Sequence, residues 1–361
     1  MPFDGPLAEI DLDALVANYR LLRDRFTGEA CAAVVKANAY GLGAEPVAAA
    51  LAEAGCGFFF VATLDEGIDL RHAQADARIA VFHGVGEGEA LAFLNHRLIP
   101  VLNSPQQLAR WREAVRGREQ GEAILHLDTG MARLGMTESE FEQVTQQQVE
   151  EAKIIMLMSH LACASEPEHP LNETQLDRFL ILSEKFPELP TSLPNSAGIF
   201  LGESWHDDLA RPGCALYGIN PNGAEPCPMR PVVRLSAPVV QIRRLESEQT
   251  VGYGATQHFP EGTRIATVAL GYADGIHRNL TGKLRGYVGN QAVPLVGRVT
   301  MDLLTFDISA LAEDNVPERI EIMNAMQTVN HLADWADTIG YEILTSLGSR
   351  ITRRYTSWSA A

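Results

Sequence analysis

Residues 31–36 read CAAVVK, and runs of the same kind return at 57–62 (GFFFVA), 78–82 (RIAVF), 97–102 (RLIPVL), 122–128 (EAILHLD) and 153–159 (KIIMLMS). Each is too short for a buried helix, and each is continuously apolar rather than alternating. That is the pattern of strands covered on both faces. Weaker candidates follow at TSLPNS (191–196) and around GCALYG (213–218). Amphipathic stretches with readable helix starts lie between the runs. Leu12, Leu15, Val16, Tyr19 and Leu22 form one apolar stripe within 11–26. Thr63–Glu66, Ser104–Gln107 and Thr137–Glu140 fit the capping-box spacing, and Pro105 stands where a first-turn proline is tolerated. Strand and helix alternate about eight times in roughly the first 220 residues. Alternation implies a parallel sheet with right-handed crossovers. Eight repeats in that length predict a closed (β/α)8 TIM-like barrel over 8–230.

The pattern then changes. NPNGAEPCPMRP (220–231) carries four prolines and reads as a linker. Beyond it, 231–245, 264–272, 284–309 and 318–324 read as strands, with Gly289-Asn290 as a hairpin turn. One late helix is expected, with Leu332, Trp335, Ala336 and Ile339 on a face. The second domain, 231–361 with residues 1–7, is predicted to be mostly β.

The 361 residues are 46% hydrophobic and 21% charged, which excludes a disordered or collagen-like chain. With 29 basic against 46 acidic side chains the net charge is −17, which argues against nucleic acid or an anionic membrane as partner. The nearest approach to a membrane span, Val47–Leu64, is broken by Glu53 and reads better as helix then strand. Cys31, Cys56, Cys163, Cys214 and Cys227 form no CxxC pair, which suits a reducing compartment and suggests neither a disulfide framework nor a metal site. No signal-peptide pattern is visible in MPFDGPLAEIDLDA, so the expectation is a cytoplasmic enzyme.

A barrel of this kind carries its reactive groups at the C-terminal ends of its strands. Those positions hold Lys36, then Asp128 with Arg133, then His160, then Asn195-Ser196, then Arg211-Pro-Gly213. Lys36 is the sharpest. An amine at the end of an apolar strand loses hydration, its pKa falls, and it becomes a nucleophile suited to a Schiff base with a carbonyl. The alternative is a lysine that snorkels to solvent. Its neighbours favour the first reading: Ser196 and the Gly213 turn could hold a phosphate, and Arg211 could meet a ring nitrogen, which are the parts pyridoxal phosphate (PLP) requires.

AVVKANAYGLG (33–43), LDEGIDLR (64–71), LDTGMARLG (127–135), PNSAG (194–198), RPGCALYGINP (211–221), VGYGATQ (251–257), GYADG (271–275) and VGRVTMD (296–302) occur in the order and spacing found in alanine racemases. The chain resembles that family over almost its whole length. The resemblance implies that Lys36 holds PLP, that Tyr40, Ser196, Gly213 and Cys214 bind its phosphate, and that Arg211 bonds the pyridine nitrogen. It also implies that Asn195 lies beside the cofactor and that Arg133 and the Met301 backbone N–H meet the substrate carboxylate. An arginine does not readily give up its proton, so the ring nitrogen would stay unprotonated and the ring would be a weaker electron sink. Two proton handlers are implied, Lys36 on one face and Tyr253, supported by His160, on the other. In the family that tyrosine comes from the partner subunit, so a head-to-tail homodimer with shared sites is expected. Tyr272 and Met301 would narrow the entrance in favour of small amino acids such as alanine.

Three departures stand out. Many relatives carry a lysine, often carbamylated, where this chain has His126; Arg133 then needs another partner, such as a bound anion. Ser349 occupies a position that is a phosphate-binding tyrosine in some relatives, and Thr300 replaces a cysteine found in several. Three rivals remain: a non-catalytic PLP-binding barrel, which lacks the β domain; a barrel-plus-β decarboxylase, which lacks VGYGAT; and a racemase for serine or a broad range of amino acids.

Overall fold

The computed structural model describes residues 5–356. Residues 1–4 and 357–361, which the sequence reading assigns to the β domain, lie outside the described residues. The chain forms two compact units. One takes in residues up to Ala14, Tyr217–Ile219 and the chain from Pro231 onward; the other is Leu15–Leu216 with Asn220–Arg230.

The second of these is the TIM-like barrel. Its strands are Ala30–Cys31 continued by Ala33–Val34, then Phe58–Val61, Arg78–Val81, Ile99–Leu102, Ala123–His126, Ile154–Met158, Thr191–Ser192 and Leu209–Ala210. Neighbours pair in parallel in sequence order. The ring closes through Leu209–Ala210: Ala30 and Ala32 N–H donate to Asp208 and Ala210 carbonyls at 3.0 and 2.9 Å, and Arg211 N–H donates to Pro194 O at 2.9 Å. The runs legible in the sequence are buried on both faces, as Phe58–Val61 and Ile99–Leu102 show. Thr63 and Thr137 cap their helices as expected, each with the reciprocal glutamate, and Ser104 caps the helix that Pro105 opens.

Three details depart from expectation. The eighth strand is not GCALYG but Leu209–Ala210; Cys214–Tyr217 is a 3₁₀ turn. Pro212 O still accepts from Val34 N–H at 2.9 Å, but Pro212 has no N–H to give in return, and the ladder ends there. Residues 8–14 do not belong to the barrel unit: Leu7–Asp11 is a strand that alternates half-buried and buried side chains. It pairs antiparallel with Val233–Arg244 and parallel with Thr352–Thr356. Finally, the late helix ends at Ala336, and Ile339 is exposed at the start of a separate helix, Gly340–Thr345.

The β unit is an antiparallel ring. In order it runs Arg264–Val268, Leu304–Asp307, Gln291–Val296, Arg285–Val288, Arg319–Met323 and Val233–Arg244, which returns to pair with Arg264–Val268. A strand of twelve residues can serve both edges because its register shifts between Val239 and Gln241, bending it around the ring. Gly289-Asn290 forms the expected hairpin turn, with Gly289 at φ +57°.

The barrel's helix layer is anchored by Trp111, fully buried, edge-on to Phe93 at 6.1 Å, its indole N–H donating to Gly121 O at 3.1 Å. Trp111→Ala should cost about 3–5 kcal/mol, read as a lowered denaturant midpoint; an unchanged midpoint would show that this anchor carries little of the stability.

Candidate active site

Lys36 opens a tight turn rather than closing the strand. The residues after it, Ala37, Asn38, Ala39 and Tyr40, all lie at φ +52° to +54°. Four successive non-glycine residues in the left-handed region cost about 1–2 kcal/mol each, so surrounding contacts must hold them. Ala39 N–H reaches Val35 O at 2.8 Å, Gly41 N–H reaches Ala37 O at 2.8 Å, and Asn38 Oδ1 accepts from Ala44 N–H at 2.8 Å. The turn leaves the Lys36 side chain half-buried, with its amine 5.8 Å from the centre of the Phe82 ring. Phe82 stacks on Phe60, and Phe60 on Phe58. Burial pushes the amine below the ordinary lysine range, the nearby Arg133 cation adds to the fall, and Glu66 opposes it.

Across the mouth, Ser196 is 3% exposed, and its Oγ accepts N–H bonds from Gly213 at 2.9 Å and Ala215 at 3.3 Å. Gly213 has no room for a side chain, because a Cβ there would overlap Tyr40 Oη. Tyr40 is buried and its phenol is held in the neutral form by desolvation. The structure therefore brings Tyr40, Ser196 and Gly213-Cys214 together. Asn195 has a different job: its amide takes Gly198 N–H at 3.0 Å and gives to Leu161 O at 3.3 Å, fixing the turn beside Ser196.

Arg211 is 2% exposed. One terminal nitrogen donates to Ser192 Oγ, the other to Ser159 O at 2.6 Å, while Nε is buried with no partner among the described residues. Burial lowers its pKa to about 10, against the opposing effect of Asp207, so it remains a cation near neutrality. Burial pushes Asp207 itself up to about 7. His160 is held neutral by burial and then by the Arg211 and Arg133 cations. The loop carrying Arg133 is shaped by Asp128, whose Oδ1 accepts from Gly130, Met131 and Ala132 N–H at 2.9, 3.0 and 3.1 Å.

His126 is buried, and burial drives its pKa down to about 3, helped by Arg211. Its tautomer can be assigned. The Asn103 amide nitrogen donates to Phe82 O at 2.9 Å and Val101 O at 3.0 Å, which leaves Asn103 Oδ1 as an acceptor. His126 Nδ1 lies 2.7 Å from that oxygen and so carries the proton; Nε2 keeps a lone pair.

Tyr253, Tyr272 and Met301 belong to the β unit. Tyr253 is 75% exposed, on a loop turned by Gly252 and Gly254 at φ +78° and +80° and tied by Gln257 Oε1, which accepts from Gly297 N–H at 2.8 Å. Tyr272 and Met301 are neighbours and both are exposed: Tyr272 N–H gives to Thr300 O at 2.9 Å and Ala273 N–H to Met301 O at 3.0 Å. Arg350 braces this corner with bonds of 2.7 Å to both Asp274 and Asp302. Ser192, Ser159 and Asn103 carry no local signal in the sequence, because their partners meet them only in three dimensions.

Residues 10–221 match the alanine racemase N-terminal domain family, and residues 232–355 match the alanine racemase C-terminal domain family. The chain belongs to the alanine racemase family. It is 48% identical to an alanine racemase of Rhodospirillum rubrum, over 97% of this chain and 95% of that one. It is 46% identical to a catabolic alanine racemase of Mesorhizobium japonicum, over 97% and 93%. Among solved structures it superposes on alanine racemase from Bartonella henselae, which has covalently bound pyridoxal phosphate, with a TM-score of 0.91, 36% identity and coverage of 98% and 100%. For the biosynthetic alanine racemase of Pseudomonas aeruginosa the TM-score is 0.89, with 34% identity over 98% and 99%. Among the described residues no helix is long and apolar enough to cross a membrane.

A histidine whose folded pKa is depressed favours the folded state at high pH. His126 binds a proton on unfolding between its ordinary 6.5 and about 3, so its contribution to stability falls as the solution is acidified through that window, by about 1.4 kcal/mol per unit. His126→Gln should flatten the pH dependence of the denaturant midpoint between those values by one proton. Equal slopes would mean that His126 is not buried in its neutral form.

Proposed function

We propose that the chain is a PLP-dependent racemase that interconverts L-alanine and D-alanine. The observation that carries the reading is Lys36: a desolvated amine at the barrel mouth, in a chain that is 48% identical to an alanine racemase over 97% of its length. The second unit, matched over 232–355 and carrying Tyr253, speaks against a non-catalytic PLP-binding barrel.

The residues present fit the cofactor. The Gly213 cradle excludes even a methyl group beside Tyr40 Oη, and Arg211 Nε is a buried donor with no partner among the described residues. Lys36 would hold PLP covalently; Tyr40, Ser196, Gly213 and Cys214 would bind its phosphate, and Arg211 its ring nitrogen. When bound, PLP supplies the electron sink that acidifies the Cα–H bond of an amino acid. The remaining work is done by the chain. Arg211, still a cation near neutrality, would not hand its proton to the ring nitrogen, which would leave the ring a weaker electron sink and so suppress transamination. Arg133 offers a planar fork to the substrate carboxylate, and the Met301 N–H adds a second donor.

Inversion at Cα needs proton handlers on both faces, since a single base returns the proton to the face it came from. Lys36 Nζ takes the proton from D-alanine, and the partner subunit's Tyr253 takes it from L-alanine. A phenol is a weak acid and needs support to act as a base, which neutral His160, backed by Arg211, can give as a hydrogen-bond partner. The exposed Tyr253, Tyr272, Met301 and Leu303 are apolar surface suited to burial against a second copy. We therefore read the active form as a head-to-tail homodimer with shared sites. The buried thiols Cys31, Cys56 and Cys214 suit a reducing, cytoplasmic setting.

The purified protein should racemise alanine in both directions and outpace larger amino acids in a substrate panel. Borohydride reduction of the PLP-loaded protein should tag Lys36 in peptide mapping; a tag elsewhere rejects the site. Tyr253→Phe should slow proton loss from L-alanine by about a hundredfold or more while substrate still binds. Mixed Lys36→Ala and Tyr253→Phe subunits should regain activity, because one site of each mixed dimer holds both groups. No recovery despite proven subunit exchange would place Tyr253 on the wrong chain.

A further inference from the structure

Glu66 is the third residue of the helix Leu64–Ala73 and completes its capping box with Thr63. That role engages only part of its carboxylate. Oε2 accepts from Ala62 N–H at 2.7 Å and more loosely from Thr63 N–H at 3.4 Å. Oε1 reaches to the neighbouring strand end and accepts from Ala37 N–H at 2.7 Å. Ala37 follows Lys36 directly and is the first left-handed residue of the strained turn. One carboxylate thus ties the mouth ends of the first two barrel strands, gripping the backbone where Lys36 projects. Its charge also acts on the amine, opposing Arg133.

We propose that Glu66 is a positioning residue for Lys36, fixing the direction of the amine by holding the Ala37 amide of the turn that follows it. This rests on the reading of Lys36 as the PLP-bearing base. A carboxylate suits the task because it accepts on both oxygens and carries charge. Glutamine in its place keeps one accepting oxygen and the shape, and loses the second acceptor and the charge. Thr63 provides the internal control. Thr63→Ala removes the side-chain half of the same cap but leaves the carboxylate free to bind Ala37 and Ala62.

The test compares the unaltered protein, Glu66→Gln and Thr63→Ala. Each is stripped of cofactor and reloaded with PLP across a pH series, then reduced with borohydride so that tagging of Lys36 can be quantified; racemisation is measured in parallel. The groups around the amine are Arg133, a cation throughout, Glu66, and His160, which burial holds neutral. With Glu66 neutralised, the amine should lose its proton more easily, so the midpoint of Lys36 tagging should move down by about one pH unit. The turnover number kcat should fall about ten- to a hundredfold with KM little changed. Thr63→Ala should leave both midpoint and kcat close to those of the unaltered protein. Equal behaviour of the two variants would reduce Glu66 to a helix cap and overturn the proposal. If Glu66→Gln does not fold, Glu66→Asp keeps the charge but falls short of Ala37; full kcat there overturns the proposal as well, and reduced kcat supports it. Failure of the unaltered protein to tag at Lys36 would instead strike the underlying functional reading, so the two failures are distinct.

Discussion

An amine that shuttles protons, the role proposed for Lys36, cannot be left in bulk water, where it stays charged, nor buried alone, where it stays neutral. The barrel mouth resolves this for Lys36 with a short inventory. Phe82 and the aromatic stack behind it lower the local polarity, Arg133 presses the charge down, and Glu66 presses it back up. Direction is controlled by the same elements. The four-residue left-handed turn holds the chain at the mouth, and that turn survives only because neighbouring groups satisfy its amides. The chemistry of the amine and the strain of the backbone are therefore one constraint seen from two sides.

The same economy governs Arg211. A fully buried guanidinium would be costly without acceptors, and the barrel supplies Ser192 and the Ser159 carbonyl from two adjacent strands. These bonds fix the plane of the group and leave Nε without a partner among the described residues. Both histidines in this layer are forced neutral, so each acts as a hydrogen-bonding ring rather than as a further cation. For His126 the tautomer follows from backbone carbonyls through Asn103, a chain of dependence that begins in the strands themselves.

Much of this was legible in the sequence, for local reasons. Six apolar runs announced barrel strands because burial on both faces forces uninterrupted hydrophobicity, and threonine caps announced helix starts because their partners are three residues away. What was not legible depended on distant partners. Leu7–Asp11 is a strand only because segments more than two hundred residues later flank it. The closing barrel strand is two residues long, too short for any pattern. Glu66 could be read as a cap, but its grip on Ala37 required two loops to meet. The mouth residues Lys36, Tyr40, Ser196 and Gly213 were found together because their spacing matched a known family, and the geometry then gave each a physical setting.

The charge pattern of the mouth follows its own logic. The chain as a whole carries −17, yet Lys36, Arg133 and Arg211 gather at one end of the barrel while the two histidines among them are denied charge. Asp128 commits one oxygen to three backbone amides, and Glu66 is shared among three more. The cations at the mouth thus outnumber the carboxylates left to face them, inside a protein that otherwise repels anions. A ligand bearing a phosphate and a substrate bearing a carboxylate are complementary in charge to such a mouth. Burial, and after it the Arg133 cation, hold the Lys36 amine down; an anion bound at the mouth would offset the second of these, so loading the site and tuning the amine would be coupled through the same electrostatic field.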